Sequence, residues 1–541
     1  MTTADLPALV LAHAETTPDA PAVLAGPDSL TYRQLARTAH GLAAALLAAR
    51  LPAGAPVAPL VGRDVELPAA LLAAHLAGHP FVLADPAYPR GEPGRMLLDA
   101  GVRAAIGRDR ADTALVRALD RSVHVLLLDD APPLPTCAAA RTPEIAAVVH
   151  TAGRDGAPRP FPLRARPLVR LLHHLRERLG LGPEDRFLAL APPTLGCAVV
   201  ELVLPLVCGG ALRIGSEADA RDLARQVEVI RDWRPTVLHG TPTYWRHLLG
   251  AGWEPEPGTT VLSSGEPLPT ALARALHARG AAVWQLYGQA ETSVFAALGR
   301  FHPDEPEPVV PLGDPVPGAE LVVTGEHELA VAGDVVATPP GPHHTGDRVR
   351  RAAGGALVPL GADARAGLRE HAVLAVPGVA LCVVTADAAS GALTAHVVAA
   401  TDGDPDPEAV DQALAGFDPP CRAVRHPFLP MAADGRADRT RLSEEDGGFA
   451  VETGRPPETH EEHVIAEIWA DVLGVADPPA DVSFFELGGY SLAVMRLAAR
   501  LQSAFGLAVP VPDVFDNLTI ATQAALVERL YREQLAELTD H

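Results

Sequence analysis

The segment DVSFFELGGYSLAVMRLAARL, residues 481–501, joins a tight turn to an amphipathic helix, and its reading sets the architecture of the chain's last part. Gly488 and Gly489 permit a turn that side chains would hinder. Ser491 follows at the mouth of the helix, where unpaired N–H groups and the helix dipole favour an attached anion. Phe484, Phe485 and Leu487 have the character of anchors holding the turn in a helical core. A Gly-Gly-x-Ser by itself also fits an ordinary N-cap serine.

Outward from this turn, HEEHVIAEIWADVLGV before it and TIATQAALVERLYREQLAEL after it carry apolar residues at helical spacing. Residues 459–541 are therefore expected to form an all-α, four-helix-type domain, with thirteen acidic residues against four arginines. The preceding stretch SEEDGGFAVETGRPPE (443–458) has the composition of a linker. Residues 361–442, from the Gly/Ala-rich joint LGADARAG to the polar turn AADGRADR, are expected to be a small α+β lobe. The first 360 residues alternate short apolar runs with helical stretches: VHVLLLDD (123–130), RFLALAPP (186–193) and PTVLHGTP (235–242) are examples. That alternation predicts a large α/β domain with mostly parallel sheet.

Composition narrows the function classes. The 541 residues are 48% hydrophobic and 21% charged, a globular balance. Asp plus Glu number 67 against 44 basic residues, a net charge of −23, which argues against nucleic-acid backbones and anionic membranes as partners. The chain contains no lysine, so every basic side chain is Arg. No mechanism can draw a lysine nucleophile, base or phosphate contact from it. The five cysteines (Cys137, Cys197, Cys208, Cys382, Cys421) show no CxxC spacing, and neither a disulfide framework nor a structural zinc site is expected. With no basic n-region at the N-terminus and no apolar run of about 18 residues, the protein is expected to be soluble and cytoplasmic.

The 481–492 loop closely resembles the attachment site of peptidyl and acyl carrier proteins, D-x-F-F-x-L-G-G-x-S-L, with Tyr490 where a polar residue is usual. The resemblance implies that a phosphopantetheinyl transferase moves 4′-phosphopantetheine from coenzyme A to Ser491, making the serine an acceptor and not a self-activated nucleophile. The thiol of that arm would hold an acyl group as a thioester, and the acidic surface would suit basic patches on partner enzymes.

The first 440 residues resemble the adenylation domains of nonribosomal peptide synthetases, in the acyl-adenylate-forming superfamily. The likeness rests on SLTYRQLARTAHGLAAALLA (29–48), YGQAET (287–292), HTGDRVR (344–350) and LPMAADGRADR (429–439). It implies ATP and Mg²⁺, with a carboxylate attacking the α-phosphate. By this resemblance Glu291 coordinates Mg²⁺, Thr292 touches the α-phosphate, Tyr287 lines the nucleotide site and Asp347 accepts from the ribose hydroxyls. The phosphate loop reads TAGRDGAPR (151–159): Thr151, Gly153 and Gly156 fit, while Arg159 replaces a lysine. Arg436 stands at the family's catalytic lysine. Its planar fork is a poor substitute for a compact ammonium, and loss of one transition-state contact costs roughly 10²–10³ in rate. The hinge is reduced to Gly361, Ala362 and Asp363, and the run to Pro377 is short.

Threading the acyl pocket puts Gly196 where amino-acid-activating relatives have an Asp for the α-ammonium. The other lining positions are Cys197, Val200, His239, Leu262, Ser264, Leu286, Val294 and Phe295. An apolar or aryl acid, a hydroxy acid, or an amine placed elsewhere is expected. The whole then reads as an adenylation–carrier didomain that makes an acyl-AMP from a small carboxylic or amino acid. With no condensation domain before it and no thioesterase after it, it would need downstream condensation or tailoring enzymes in trans. The alternative is a catalytically inactive adenylation scaffold whose carrier is loaded in trans by another enzyme.

Overall fold

The computed structural model describes residues 5–83, 93–109, 120–137, 140–152, 158–336, 341–387, 391–400, 405–426, 428–432, 435–444, 455–473, 478–482, 484, 491–507, 509, 513–514 and 517–539. Four sheets form among them. The largest runs in the spatial order Asp314–Pro315, Ala297–Arg300, Ala282–Tyr287, Thr260–Ser263, Val237–Gly240, Arg186–Ala189, Ala211–Ile214, Pro21–Ala25, Asp28–Thr31. Its six central strands are parallel, and antiparallel strands close both edges. The parallel strands are near-continuous apolar runs because both faces are covered; Val237, Leu238, Val261 and Val283 are all buried. Helix Gly196–Cys208 lies over this sheet, and its run from Ala198 to Cys208 is buried apart from the half-buried Glu201.

A second, six-stranded sheet is parallel apart from the hairpin Ile145–Ala152/Pro158–Arg164. The strands at 123–130, 186–193 and 235–242 form as the apolar runs predicted. The alternation of strand and helix does not extend to the region around residues 319–361. There, Ala319–Val323, Glu328–Gly333, His343–Arg351 and Leu357–Gly361 make an antiparallel four-stranded sheet. Antiparallel neighbours need no crossover helix to reverse the chain.

The strand Leu357–Gly361 leads at once into helix Ala364–Leu374, whose N-cap Asp363 accepts from the Arg365 amide at 2.8 Å. Only Ala362 and Asp363 thus separate the two regular elements. Beyond it, Val379–Ala386, Leu393–Ala399 and Cys421–His426 form a three-stranded sheet. This part packs on the large sheet through one continuous apolar cluster in which Trp245 and Leu268 meet Leu381, Val383, Leu429 and Leu442. His247 Nε2 bonds the Leu429 carbonyl at 3.0 Å, and Arg246 donates to the Ala399 carbonyl at 2.8 Å.

The C-terminal part is helical, as its periodicity requires, with long helices His460–Leu473, Ser491–Phe505 and Ile520–Thr539. Trp469 fills its core, edge-on to Phe484 at 4.8 Å, and donates its indole N–H to the buried Gln523 at 2.9 Å. Phe485 and Leu487 lie outside the described residues.

Candidate active site and carrier serine

The carboxyl ends of parallel strands are where open α/β sheets gather ligands, and strand Ala282–Tyr287 delivers YGQAET there. Tyr287 donates to Asp347 Oδ2 at 2.7 Å. Gln289 ties the two motifs together, because its Nε2 donates to both Asp347 Oδ2 (3.3 Å) and the Thr345 carbonyl (3.0 Å). Its Oε1 accepts from His343 Nε2 at 3.0 Å. Burial pushes the Asp347 carboxyl above the usual range, opposed by Tyr287, Gln289 and the positive charge of Arg436. Both bonds land on Oδ2, leaving Oδ1 without a hydrogen bond among the described residues.

Glu291 is half-buried on the short 3₁₀ turn Ala290–Thr292, near enough for its charge to raise the pKa of His343, which burial lowers. Thr292 is fully buried, and its hydroxyl both accepts from the Gln289 amide and donates to the Gln289 carbonyl, each at 3.0 Å. It closes the turn that presents Glu291 and would reach a phosphate only by giving up these bonds. Ser293 and Val294 then take φ of 57° and 79°, the left-handed region that β-branched residues such as Val294 rarely occupy. The Ser293 hydroxyl holds the bend by donating to the Val335 carbonyl at 2.6 Å. At Gly288 any Cβ would collide with the Val294 carbonyl, so only Gly fits beneath the turn.

Arg436 arrives from the small lobe on a loop clamped to the large one. Thr241 Oγ1 donates to the Gly435 carbonyl, and the Ala437 amide donates to Glu266 Oε1 at 2.8 Å. Glu266 also accepts from the Thr243 amide and hydroxyl, both at 3.1 Å. Burial raises its pKa against those hydrogen bonds. The Arg436 side chain crosses Gly265 (φ +84°), where an added Cβ would sit 3.5 Å from its Cδ.

The threaded acyl-pocket positions come together. Gly196, Cys197 and Val200 lie on helix Gly196–Cys208, His239 is the penultimate residue of its strand, Leu262 and Leu286 lie in the next two strands, Ser264 directly follows the first of these, and Val294 and Phe295 follow the turn beyond. His239 is edge-on to Phe295 at 6.1 Å. A Cβ on Gly196 would touch Val294 at 3.5 Å. The threading did not include Glu201. This residue bonds His239 Nδ1 through Oε1 at 2.7 Å and accepts from the Leu190 and Ala191 amides through Oε2, both at 3.1 Å. His239 Nε2 lies 2.7 Å from Ser264 Oγ. His239 therefore sits at the centre of a polar chain, Glu201–His239–Ser264.

Two groups of predicted residues are only partly placed. Thr151 pairs with Arg159 across the second sheet's hairpin, whereas Gly153 and Gly156 lie outside the described residues. Ser491 opens helix Ser491–Phe505, and its side chain and the turn before it are likewise outside.

The family model for AMP-binding enzymes matches residues 10–341, more than half of the chain. The chain belongs to the AMP-binding enzyme family. A second model, the phosphopantetheine attachment site, matches residues 463–527 and so brings 4′-phosphopantetheine to the C-terminal helices. Among curated proteins, a dimodular nonribosomal peptide synthase of Bacillus subtilis (strain 168) is 28% identical over 94% of this chain and 24% of its own length. Phenyloxazoline synthase MbtB of Mycolicibacterium paratuberculosis is 30% identical over 95% of this chain and 49% of its own. The chain thus spans half or less of these relatives. Among solved structures, holo-PA1221, described as a nonribosomal peptide synthetase protein containing adenylation and carrier domains, superposes with a TM-score of 0.68. It covers 97% of both chains at 21% identity, a likeness of fold. This member of the family thus joins an AMP-binding domain to a phosphopantetheine attachment domain in one chain. Among the described residues no helix is long and apolar enough to cross a membrane.

Proposed function

We propose that residues 1–360 and 361–442 are the two lobes of an acid-activating ligase, joined by the linker 443–458 to a carrier at 459–541. It would convert a small acid to its acyl-AMP in the cytoplasm, where ATP and coenzyme A are at hand, and pass the acyl group to the arm on Ser491. The observation that carries this reading is the clamped loop: Thr241 and Glu266 hold Gly435 and Ala437, and the charge of Arg436 acts on Asp347. That arrangement suits the adenylating step, in which a cation must meet charge developing on the α-phosphate.

The donor set fits the nucleotide. Asp347 Oδ1 would accept from a ribose hydroxyl, Gly288 allows close backbone approach, and Glu291 would hold Mg²⁺, which neutralises phosphate charge. Thr151 and Arg159 sit on either strand of the hairpin assigned to the triphosphate. Thr292 supports Glu291 by fixing its turn. Downstream condensation or tailoring enzymes would take the product in trans.

A retired adenylation scaffold, its carrier loaded by another enzyme, is favoured by the arginine fork at the catalytic position, together with the altered phosphate loop, the short hinge region and Gly196. Pyrophosphate exchange with ATP, Mg²⁺ and a panel of amino, hydroxy and aryl acids separates the two. Exchange with one acid supports the ligase and names its substrate. Silence from a chain whose Ser491 still accepts phosphopantetheine supports the scaffold.

A further inference from the structure

Cys197 and Glu201 stand four residues apart on helix Gly196–Cys208, a spacing that puts both side chains on one face. His239 faces them from the end of strand Val237–Gly240. One ligand atom from each lies within 4.8 Å of the others. The same three residues border a cavity of about 20 Å³ whose remaining wall is apolar and includes Phe187, Leu204 and Phe295. A space of that size takes about one water molecule or one ion.

We infer that this cluster binds one divalent cation of the zinc type, through Cys197 Sγ, Glu201 Oε1 and His239 Nδ1, with water as the fourth ligand. Sulfur, imidazole nitrogen and carboxylate oxygen are the donors such an ion prefers, at about 2.0–2.3 Å in a tetrahedron. Sequence spacing could not reveal them, because the histidine comes from a strand remote in the chain. The supporting shell is already built. His239 Nε2 sits 2.7 Å from Ser264 Oγ, so with Nδ1 on the metal it donates there and fixes the tautomer. Glu201 Oε2 is pinned by the Leu190 and Ala191 amides at 3.1 Å. Such outer hydrogen bonds orient metal ligands.

On binding, the Cys197 thiol releases its proton to solvent and the imidazole proton resides on Nε2. The Glu201–His239 hydrogen bond is replaced by two bonds to the ion. Two anionic ligands then neutralise the cation in a pocket where Gly196 supplies no anion. A consequence, which rests on the acyl-binding reading above, is a preference for acids bearing an uncharged electron-pair donor over those bearing an α-ammonium.

The test uses the full chain without phosphopantetheine, so that the arm's thiol cannot bind metal, and Co²⁺ alone as probe. One equivalent is expected to give a thiolate-to-cobalt charge-transfer band together with visible tetrahedral bands, both erased by added Zn²⁺. Cys197→Ser should remove the charge-transfer band, and His239→Ala should weaken cobalt binding by at least about tenfold. Cys382→Ser, in a buried strand of the small lobe, should retain the band. No such band in folded wild-type chain, or a band that survives Cys197→Ser, overturns the inference. Cobalt binding without pyrophosphate exchange leaves the site standing and fails the ligase reading; exchange without the band does the reverse.

Discussion

The backbone amide of Ala437 donates to the buried carboxylate of Glu266 at 2.8 Å, and this bond fastens the Arg436 loop to the large lobe. A hydrogen bond to a charged partner is worth about 1.5–3 kcal/mol. Glu266→Gln keeps the volume but removes the charge that three donors share. Adenylate formation should fall by about 10–100-fold, with a far smaller change in melting temperature. Unchanged exchange kinetics would show that the lobes dock without this contact.

Arg436 itself is the next test. Arg436→Ala should cost about 10²–10³ in rate, the usual loss for one transition-state charge contact. Arg436→Lys should raise the rate, since an ammonium fits between carboxylate and phosphate where a planar fork does not. Gly265→Ala should slow the enzyme as well, because φ of +84° strains any side chain at the position that the Arg436 side chain crosses. Steady-state exchange on the three variants checks all of these.

Asp347 separates binding from stability. Its carboxyl is held above the usual range chiefly by burial, so its charge is a cost to folding. Asp347→Asn removes that charge. The melting temperature should hold or rise while KM for ATP increases by at least about tenfold, the loss of a charged acceptor for a ribose hydroxyl. A parallel fall in both would assign Asp347 to the fold alone.

Ser491→Ala should abolish the mass increase seen when the chain meets coenzyme A and a phosphopantetheinyl transferase, with no effect on pyrophosphate exchange. Intact-mass spectrometry reads the first and radiolabel exchange the second. A mutant that still gains the mass has its attachment site elsewhere.

The small lobe predicts a pH dependence. His396 bonds His426 at 2.9 Å and Thr385 at 2.9 Å, and burial depresses both histidines to about 4. The neighbouring charges of Arg422 and Arg439 lower His396 further. His247, at the lobe interface, is also depressed to about 4 by burial. The unfolded chain binds these protons near pH 6.5 and the folded one only near 4, so stability is fully present above about 6.5 and is lost as pH falls toward 4. Thermal melts should drop by several degrees between pH 7 and pH 5, and His396→Gln should flatten the curve. A melting temperature independent of pH in this range would contradict the buried neutral pair.

Much of this molecule was legible along the chain. The three carrier helices begin and end within about two residues of their periodic segments, because each apolar stripe needs only its own spacing to declare itself. Tyr287, Glu291 and Asp347 were singled out by the resemblance of two short contiguous motifs, YGQAET and HTGDRVR, to those of a known family. The alternating strands and helices of the first 300 residues were visible for the same local reason. The antiparallel sheet at 319–361 was not, since hairpins and crossovers differ in how strands pair and not in the apolar run itself.

What the tertiary structure alone decided are the partners of those residues. Gln289 carries no role that the motif YGQAET declares, yet it links that motif to Thr345 and Asp347. Glu266 gains its role only where the small lobe covers it and the Ala437 amide donates to it. Glu201 lies on an otherwise apolar helix, and only the parallel register that sets His239 beside Leu262, one residue from the strand's end, brings His239 and Ser264 within 2.7 Å of one another. A sequence declares periodicity and turns because these depend on neighbours a few residues apart. A buried carboxylate acquires its role from strands and lobes tens to hundreds of residues away, and that proximity exists only after the chain has folded.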